Sequence, residues 1–385
     1  MVFEYLLPVS EKVLAHNALL LPQSLGNSIA IHSGQEGLPE LEGIQLALLG
    51  VSENRNAFEQ KITPIDLDDF RIELYKLNRG NWKLQIADLG NVPMGNSVED
   101  TYVVVKEVVS ELVQLGIVPI VIGATQDLSY PLYRSFDQFG EMIHMVSIDH
   151  RFDFGIADQL ISSHSYMSKI ISESPSNLKS FTNLGYQSFF NTQEERDLMD
   201  KMYFESYRLG EVVNDLAACE PLLRDAHFLS IDARAIQASD MGSGSNYTPN
   251  GFSGREICAL TRYAGLSPKL SLFGVFESDN HPMSNKLISQ MVWYFLEGFS
   301  IRIVEDPIRQ SDYFLKYTVT LESLDLIFFK SKKTGRWWVL LEQLSSTDNN
   351  FNSAALLPCS ENDYKEACKD IIPDRWIKAQ KKGFY

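Results

Sequence analysis

Residues along this chain fall in short, mostly apolar runs, and each run stops at polar residues or a sharp turn. Residues 44–51 lead into Ser52-Glu-Asn-Arg-Asn56, residues 84–87 into Asp88-Leu-Gly-Asn91, and residues 117–122 into Gly123-Ala-Thr-Gln126-Asp127. Residues 143–148 stop at Asp149-His150-Arg151-Phe152-Asp153, residues 227–231 at Asp232-Ala-Arg234, and residues 270–276 at Glu277. Mostly apolar runs of this length predict strands buried on both faces, as in parallel sheets. A further strand is expected near 180–186. Between the strands the apolar period lengthens to that of helices. The best case is 98–115, with Val104, Val108, Leu112 and Leu115 on one side, Asn96 or Ser97 as cap and Gly116 as stop. Others are predicted at 164–171, 192–201, 209–223, 254–264 and 282–298, with a helix start near Leu128. Alternation of this kind implies an α/β fold whose mostly parallel sheet is covered on both faces.

The two ends read differently. Residues 1–43 mix helical and loop signals, with Gly34, Gly37 and Pro39 marking a turn before the first clear strand. Residues 326–341 read as a strand, a Lys-Lys-Thr-Gly turn and a second strand, followed by a polar loop and a short helix from about Glu361. The expected organisation is an N-terminal extension (1–43), a main α/β domain (44–300) and a C-terminal β-hairpin and helix extension packed on it (301–385).

Composition narrows the function classes. Of 385 residues, 44% are hydrophobic and 22% charged, ordinary for a globular protein. A formal net charge of −16 argues against general nucleic-acid binding and against docking on anionic lipid. The first residues lack the basic region of a signal peptide, and no stretch approaches the roughly 18 apolar residues of a membrane span. Cys219, Cys258, Cys359 and Cys368 show no CxxC pairing. A soluble, reduced, cytoplasmic protein is expected.

In a parallel sheet the polar strand ends share one edge, the edge at which open α/β sheets bind ligands. Gln126, Asp127, Asp149, Arg151, Asp153, Asp232, Arg234 and Glu277 should therefore converge there. Carboxylates from several strands at one edge can hold a cation, or pair with the two arginines. Strand alternation carried through this stretch puts Asp149, Arg151 and Asp153 on one face and His150 and Phe152 on the other. The spacing then makes Asp149 with Arg151, and Asp232 with Arg234, i,i+2 partners, while His150 faces away.

These stretches resemble the arginase or ureohydrolase superfamily, and within it the formimidoylglutamase branch. Gly123-Ala-Thr-Gln126-Asp127 stands where the family has GGGHE, Asp149-His-Arg151-Phe-Asp153 where it has DAHxD, and Ser230-Ile-Asp232-Ala-Arg234 where it has SxDxD. Supporting matches are Asp88-Leu-Gly-Asn91, His164-Ser-Tyr-Met, Asn250-Gly-Phe-Ser-Gly-Arg-Glu256 and Val275-Phe-Glu277-Ser. The resemblance covers roughly residues 44–300 and implies a three-layer α/β/α sandwich and a homo-oligomer. It also implies a pair of Mn²⁺ ions that activate a hydroxide against a guanidino or amidino carbon. Asp149, Asp153 and Asp232 keep the family's acids, His164 matches an active-site histidine and Glu277 a substrate-binding acid.

The departures are Gln126, Arg151 and Arg234, where the family has metal ligands. Arginine offers no lone pair and cannot be a ligand. Two readings follow. In the first, Arg151 and Arg234 replace the second metal by pairing with the aspartates. The chain is then a catalytically silent binding or structural protein, with no cofactor, or at most one Mn²⁺ or Mg²⁺ on Gln126, Asp149, Asp153 and Asp232. Its pocket, with Glu277 and the loop 241–251, would hold a small guanidino or amidino ligand. In the second, the chain is a divergent hydrolase of linear amidine or guanidine C–N bonds that uses one residual metal, with Asp149, Asp153 and Asp232 as working acids.

Overall fold

The computed structural model describes residues 2–58, 65–155, 160–242, 247–322, 324–341 and 355–382. A nine-stranded sheet forms its centre. The strands are β1 (Ile29–Ile31), β2 (Leu46–Val51), β3 (Ile86–Val92), β4 (Val118–Gly123), β5 (Ile143–Ile148), β6 (Leu178–Tyr186), β7 (Glu205–Arg208), β8 (Phe228–Asp232) and β9 (Leu272–Phe276). They lie in the order β1-β3-β2-β4-β9-β8-β5-β6-β7, and every pairing is parallel. The expected parallel α/β sandwich is present. β1 lies inside the N-terminal segment 1–43, so part of that segment belongs to the main sheet.

Period-two alternation splits the strands between two cores. Leu46, Leu48, Ile120, Ile122, Leu229 and Ile231 face the helices Leu67–Lys76, Gly254–Gly265 and Pro282–Ser300. Ala47, Leu49, Val121, Met145 and Phe228 face Val98–Gln114, Ser129–Arg134 and Tyr166–Ser172. Residues two apart share a face, which is why one apolar run can supply both cores. Helix starts follow local rules. Ser97 with Asp100, and Ser253 with Glu256, form capping boxes that satisfy the first free N–H groups.

Residue 301 onward builds a second, antiparallel sheet of four strands, β10 (Phe314–Thr320), β11 (Asp325–Ser331), β12 (Trp337–Leu340) and β13 (Leu356–Cys359). The predicted hairpin is β11–β12, and β10 and β13 extend it on either side. Leu326, Phe328, Trp337, Val339, Leu357 and Trp376 give this sheet its own small core. It is tied to the main domain where Arg224 Nη2 donates to the Trp337 carbonyl at 2.8 Å and Arg375 Nε meets Glu205 Oε2 at 2.8 Å. Among the described residues no helix is long and apolar enough to cross a membrane.

Candidate functional site

Four adjacent strands, β4, β9, β8 and β5, deliver the site. Because they are parallel, Gln126, Glu277, Asp232 and Asp149 emerge on the same edge, at or just past their carboxyl ends. β5 and β8 finish in the same way. Asp149 Oδ1 accepts the backbone N–H of Arg151 at 2.8 Å, and Asp232 Oδ1 accepts that of Arg234 at 2.7 Å. Side chains that bond the backbone two residues on close Asx turns, and strand alternation ends there.

At Asp232 the turn folds Arg234 back over the carboxylate. Nε lies 3.1 and 3.0 Å from the two oxygens, and Nη2 lies 2.7 Å from Oδ2. Nη1 reaches His164 Nε2 at 3.0 Å and Glu277 Oε2 at 3.6 Å. Asp232 and Arg234 are 0% and 4% exposed. Burial alone would push Asp232 up and Arg234 down. Their mutual charge and hydrogen bonds win, holding Asp232 below the usual carboxylate range and Arg234 well above its ordinary value.

At Asp149 the same turn has a different outcome. Arg151 Nη1 donates to the Phe190 carbonyl at 3.1 Å, and the guanidinium carbon sits 4.7 Å from the centre of the Phe190 ring. His150 faces the acids instead. Its Nδ1 is 3.2 Å from Asp149 Oδ1, and Asp149, His150 and Asp232 bring donor atoms within 4.8 Å of one another. The orientations expected for Arg151 and His150 are therefore reversed, because alternation stops at Ile148 rather than running on to Asp153.

Asp153 is buried and holds a φ of 55°, unusual for a non-glycine residue. Neither of its oxygens has a hydrogen-bond donor, and Asp149 Oδ2, His150 Nδ1 and Gln126 Oε1 are also unpartnered. Burial first, and then the charge of Asp149, push the Asp153 carboxyl well above its ordinary value. Gln126 turns its amide nitrogen to Ser230 Oγ at 2.8 Å and to the Tyr166 hydroxyl at 3.4 Å, and Ser129 Oγ lies 2.8 Å from Ser230 Oγ.

Glu277, at φ 58°, accepts the Gln126 backbone N–H at 2.9 Å. Burial pushes Glu277 up to about 7 even though Arg234 opposes it, with the Asp232 charge adding to the rise. His164 stacks on Phe58 with ring centres 4.3 Å apart. Burial, and then the Arg234 and Arg151 charges, hold His164 down at about 3, so it is neutral near pH 7 and its Nε2 can accept from Arg234. A cleft of about 1000 Å³ opens here, lined by Phe58, Arg151, Asp153, His164, Lys169 and Phe190 among others. Glu277 is not among its lining residues, and residues 243–246 of the predicted loop 241–251 lie outside the described residues.

Some neighbours of the site show their role only in the structure. Phe190 and Tyr166 look like ordinary core aromatics. Asp127, beside Gln126, accepts from the Tyr102 hydroxyl and is raised by burial to about 6. The Asp88-Leu-Gly-Asn91 stretch has a structural job. Arg71, 1% exposed, donates to Asp88 at 2.7 and 3.0 Å and to Asn91 Oδ1 at 2.8 Å, locking helix Leu67–Lys76 to β3.

Residues 66–291 match the model of the arginase family. The chain belongs to that family. Solved structures of similar fold include a formiminoglutamase of Trypanosoma cruzi with manganese, at 20% identity over 69% of this chain and 96% of that one, TM-score 0.61. A formimidoylglutamase of Bacillus subtilis matches at 13% identity over 70% and 91% of the two chains, TM-score 0.62. The agmatine ureohydrolase of Thermoplasma volcanium matches at 14% over 73% and 95%, TM-score 0.55. At these identities the likeness is one of fold. Comparison with curated proteins gives no match.

Proposed function

We propose that this arginase-family chain does not perform two-metal hydrolysis and binds a small ligand in the cleft beside Asp153. The observation that carries this is the Arg234 guanidinium, held at 2.7 Å from Asp232 in the middle of the acid cluster. Two-metal hydrolysis needs both cations to activate a bridging hydroxide. For one cation the residues fit, since Asp149 Oδ2, both oxygens of Asp153, His150 Nδ1 and Gln126 Oε1 are buried acceptors without donors. For a second they do not. Arg234 offers only N–H donors and a fixed positive charge, and it occupies the space between Asp232, Glu277 and His164. Glu277 is held by Arg234 and by the Gln126 backbone, so it is not free to grip a cationic substrate.

The cleft carries both signs of charge, Arg151 and Lys169 against Asp153, Glu194 and Glu195. That suits a small zwitterion with a guanidino or amidino group at one end. A second reading is a linear-amidine or guanidine hydrolase of formimidoylglutamase or agmatinase type with one residual metal. The unpartnered Asp149 and Asp153 oxygens favour it, and a single bound ion would supply a water of lowered pKa.

The test is metal content after Mn²⁺ loading, together with release of urea or formamide from arginine, agmatine and formiminoglutamate. No turnover with fewer than two ions per chain supports the binding role. Turnover with two ions overturns it, and turnover with one selects the second reading.

A further inference from the structure

We infer that a pocket at the amino edge of the main sheet binds inorganic phosphate, with His227 donating to a phosphate oxygen and His144 accepting from the P–OH. The pocket lies at the opposite end of the strands from Asp149 and Asp232, so the inference does not depend on the reading of that site.

The cavity measures about 390 Å³ and is lined by Glu141, His144, Lys179, His227, Lys269 and Ser271 among others. His144 and Lys179 are the second residues of β5 and β6, and His227 immediately precedes β8. These strands are parallel neighbours, so their first residues meet at one edge. Lys269, Lys179 and Lys382 all bear on His144, against the single carboxylate of Asp225. That local excess of positive charge stands in a chain whose net charge is −16, and it favours an anion.

The two rings differ in which nitrogen faces a partner. His227 is 8% exposed, and its Nδ1 accepts the His144 backbone N–H at 3.1 Å. Burial, and then the charges of His144 and Lys269, keep this ring neutral near pH 7. A neutral ring that accepts at Nδ1 carries its proton on Nε2, where no acceptor meets it among the described residues. His144 is arranged the other way. Its Nδ1 lies 2.9 Å from Ser180 Oγ and 3.2 Å from Asp225 Oδ2. Burial would raise Asp225, but the charges of His144 and Lys269 outweigh it and the carboxylate stays ionised. The His144 proton therefore sits on Nδ1, facing that carboxylate, and Nε2 is left with a lone pair. Burial, joined by the lysine charges against Asp225, holds this ring below its ordinary value, so it too is neutral near pH 7.

A metal ion would need lone pairs from both rings, and His227 has none to give. One imidazole donor, one imidazole acceptor and the Lys179 and Lys269 ammonium groups instead match an oxyanion that still carries a proton. Inorganic phosphate keeps at least one P–OH near pH 7, whereas sulfate keeps none. Against sulfate the His144 lone pair would face oxygen lone pairs, and a buried polar group left unmatched is what gives such sites their selectivity.

The full chain in chloride buffer near pH 7, titrated with inorganic phosphate at fixed ionic strength, tests the assignment. Calorimetry should show a single saturable site, and sulfate should bind at least about tenfold more weakly. Two-bond ¹H–¹⁵N spectra of the imidazoles should show His227 protonated on Nε2 and His144 on Nδ1, both shifting as phosphate is added. His227→Phe should lose about tenfold or more in affinity, and Lys179→Ala should weaken it severalfold. Phosphate that does not saturate, sulfate that binds equally well, or binding that survives His227→Phe each overturns the inference. Glycerol phosphate binding more tightly than inorganic phosphate would also overturn it, in favour of a phosphate ester. If His227→Phe does not fold, the ring spectra of the unaltered chain decide, and a His227 proton on Nδ1 or unmoved ring signals sink the assignment.

Discussion

Arg234 grips both oxygens of Asp232, the residue two places before it, where the pair is 4% and 0% exposed. Removing the guanidinium leaves Asp232 as a buried anion with Glu277 and Asp153 nearby. Breaking a buried pair from one side costs about 3–5 kcal/mol. Arg234→Ala should lose about that much in chelator-containing buffer, read from urea unfolding. Mn²⁺ should restore part of the loss, since a cation can then enter the vacated space. Equal stability of Arg234→Ala and the unaltered protein, or a loss that Mn²⁺ does not touch, would show that Arg234 is not the counter-charge of this cluster.

Arg71 poses the same question away from the site. It donates to Asp88 through Nε and Nη2, while Tyr75 also donates to Asp88 at 2.8 Å. Arg71→Met should cost about 3–5 kcal/mol, because Asp88 is left charged at 0% exposure. Adding Asp88→Leu should recover much of it, since the desolvated anion is then gone. A double variant no more stable than the single one would place the cost in lost packing of helix Leu67–Lys76.

The main fold was legible because β2, β4, β5, β8 and β9 are mostly apolar runs that stop at polar residues, whereas β3 begins two residues later than its apolar run and continues through the buried Asp88 to Val92. β1 and β13 gave no signal because they are only 3 and 4 residues long, and β7 gave none because it is polar. β7 reads Glu-Ser-Tyr-Arg and is half-buried at the sheet edge, with Glu205 held by Arg375 from 170 residues away. Helix Leu67–Lys76 carries no clear helical pattern because the buried Arg71 interrupts its apolar face. At the site, motif spacing marked the acids and Arg234, but the orientations of His150 and Arg151 depended on where β5 ends. The Asx turn at Asp149 sets that point, and it appears in the sequence only as an aspartate after an apolar run.

His227 gives the protein an acid-side weakness of its own. Burial, and then the charges of His144 and Lys269, hold it at about 4, below its ordinary 6.5. The unfolded chain takes up this proton below about pH 6.5 and the folded chain only below about 4, so stability falls as pH drops through that window. At 1.36 kcal/mol per unit the loss is on the order of 3 kcal/mol. His227→Gln, whose amide oxygen can still accept the His144 N–H, should flatten the decline between those pH values in thermal melts. An unchanged slope would assign the acid loss to other groups.

The helices Gly254–Gly265 and Pro282–Ser300 cross at two glycines. A Cβ on Gly298 would lie 2.2 Å from the Arg262 carbonyl oxygen, and one on Gly265 would lie 2.2 Å from the Phe295 carbonyl oxygen. Both obstacles are backbone, so no rotamer change relieves them, and the helices must separate. Phe295, Leu296 and Phe299, buried at 0%, 1% and 5%, would then loosen against the sheet. Overpacking of this kind costs about 1–3 kcal/mol, and Gly298→Ala should fall in that range by urea unfolding with an unchanged m-value. Gly265→Ala should cost about as much. The double variant should cost less than the sum, because one separation of the helices relieves both clashes. Strict additivity would mean that each alanine is absorbed locally and that the close crossing is not a single rigid contact.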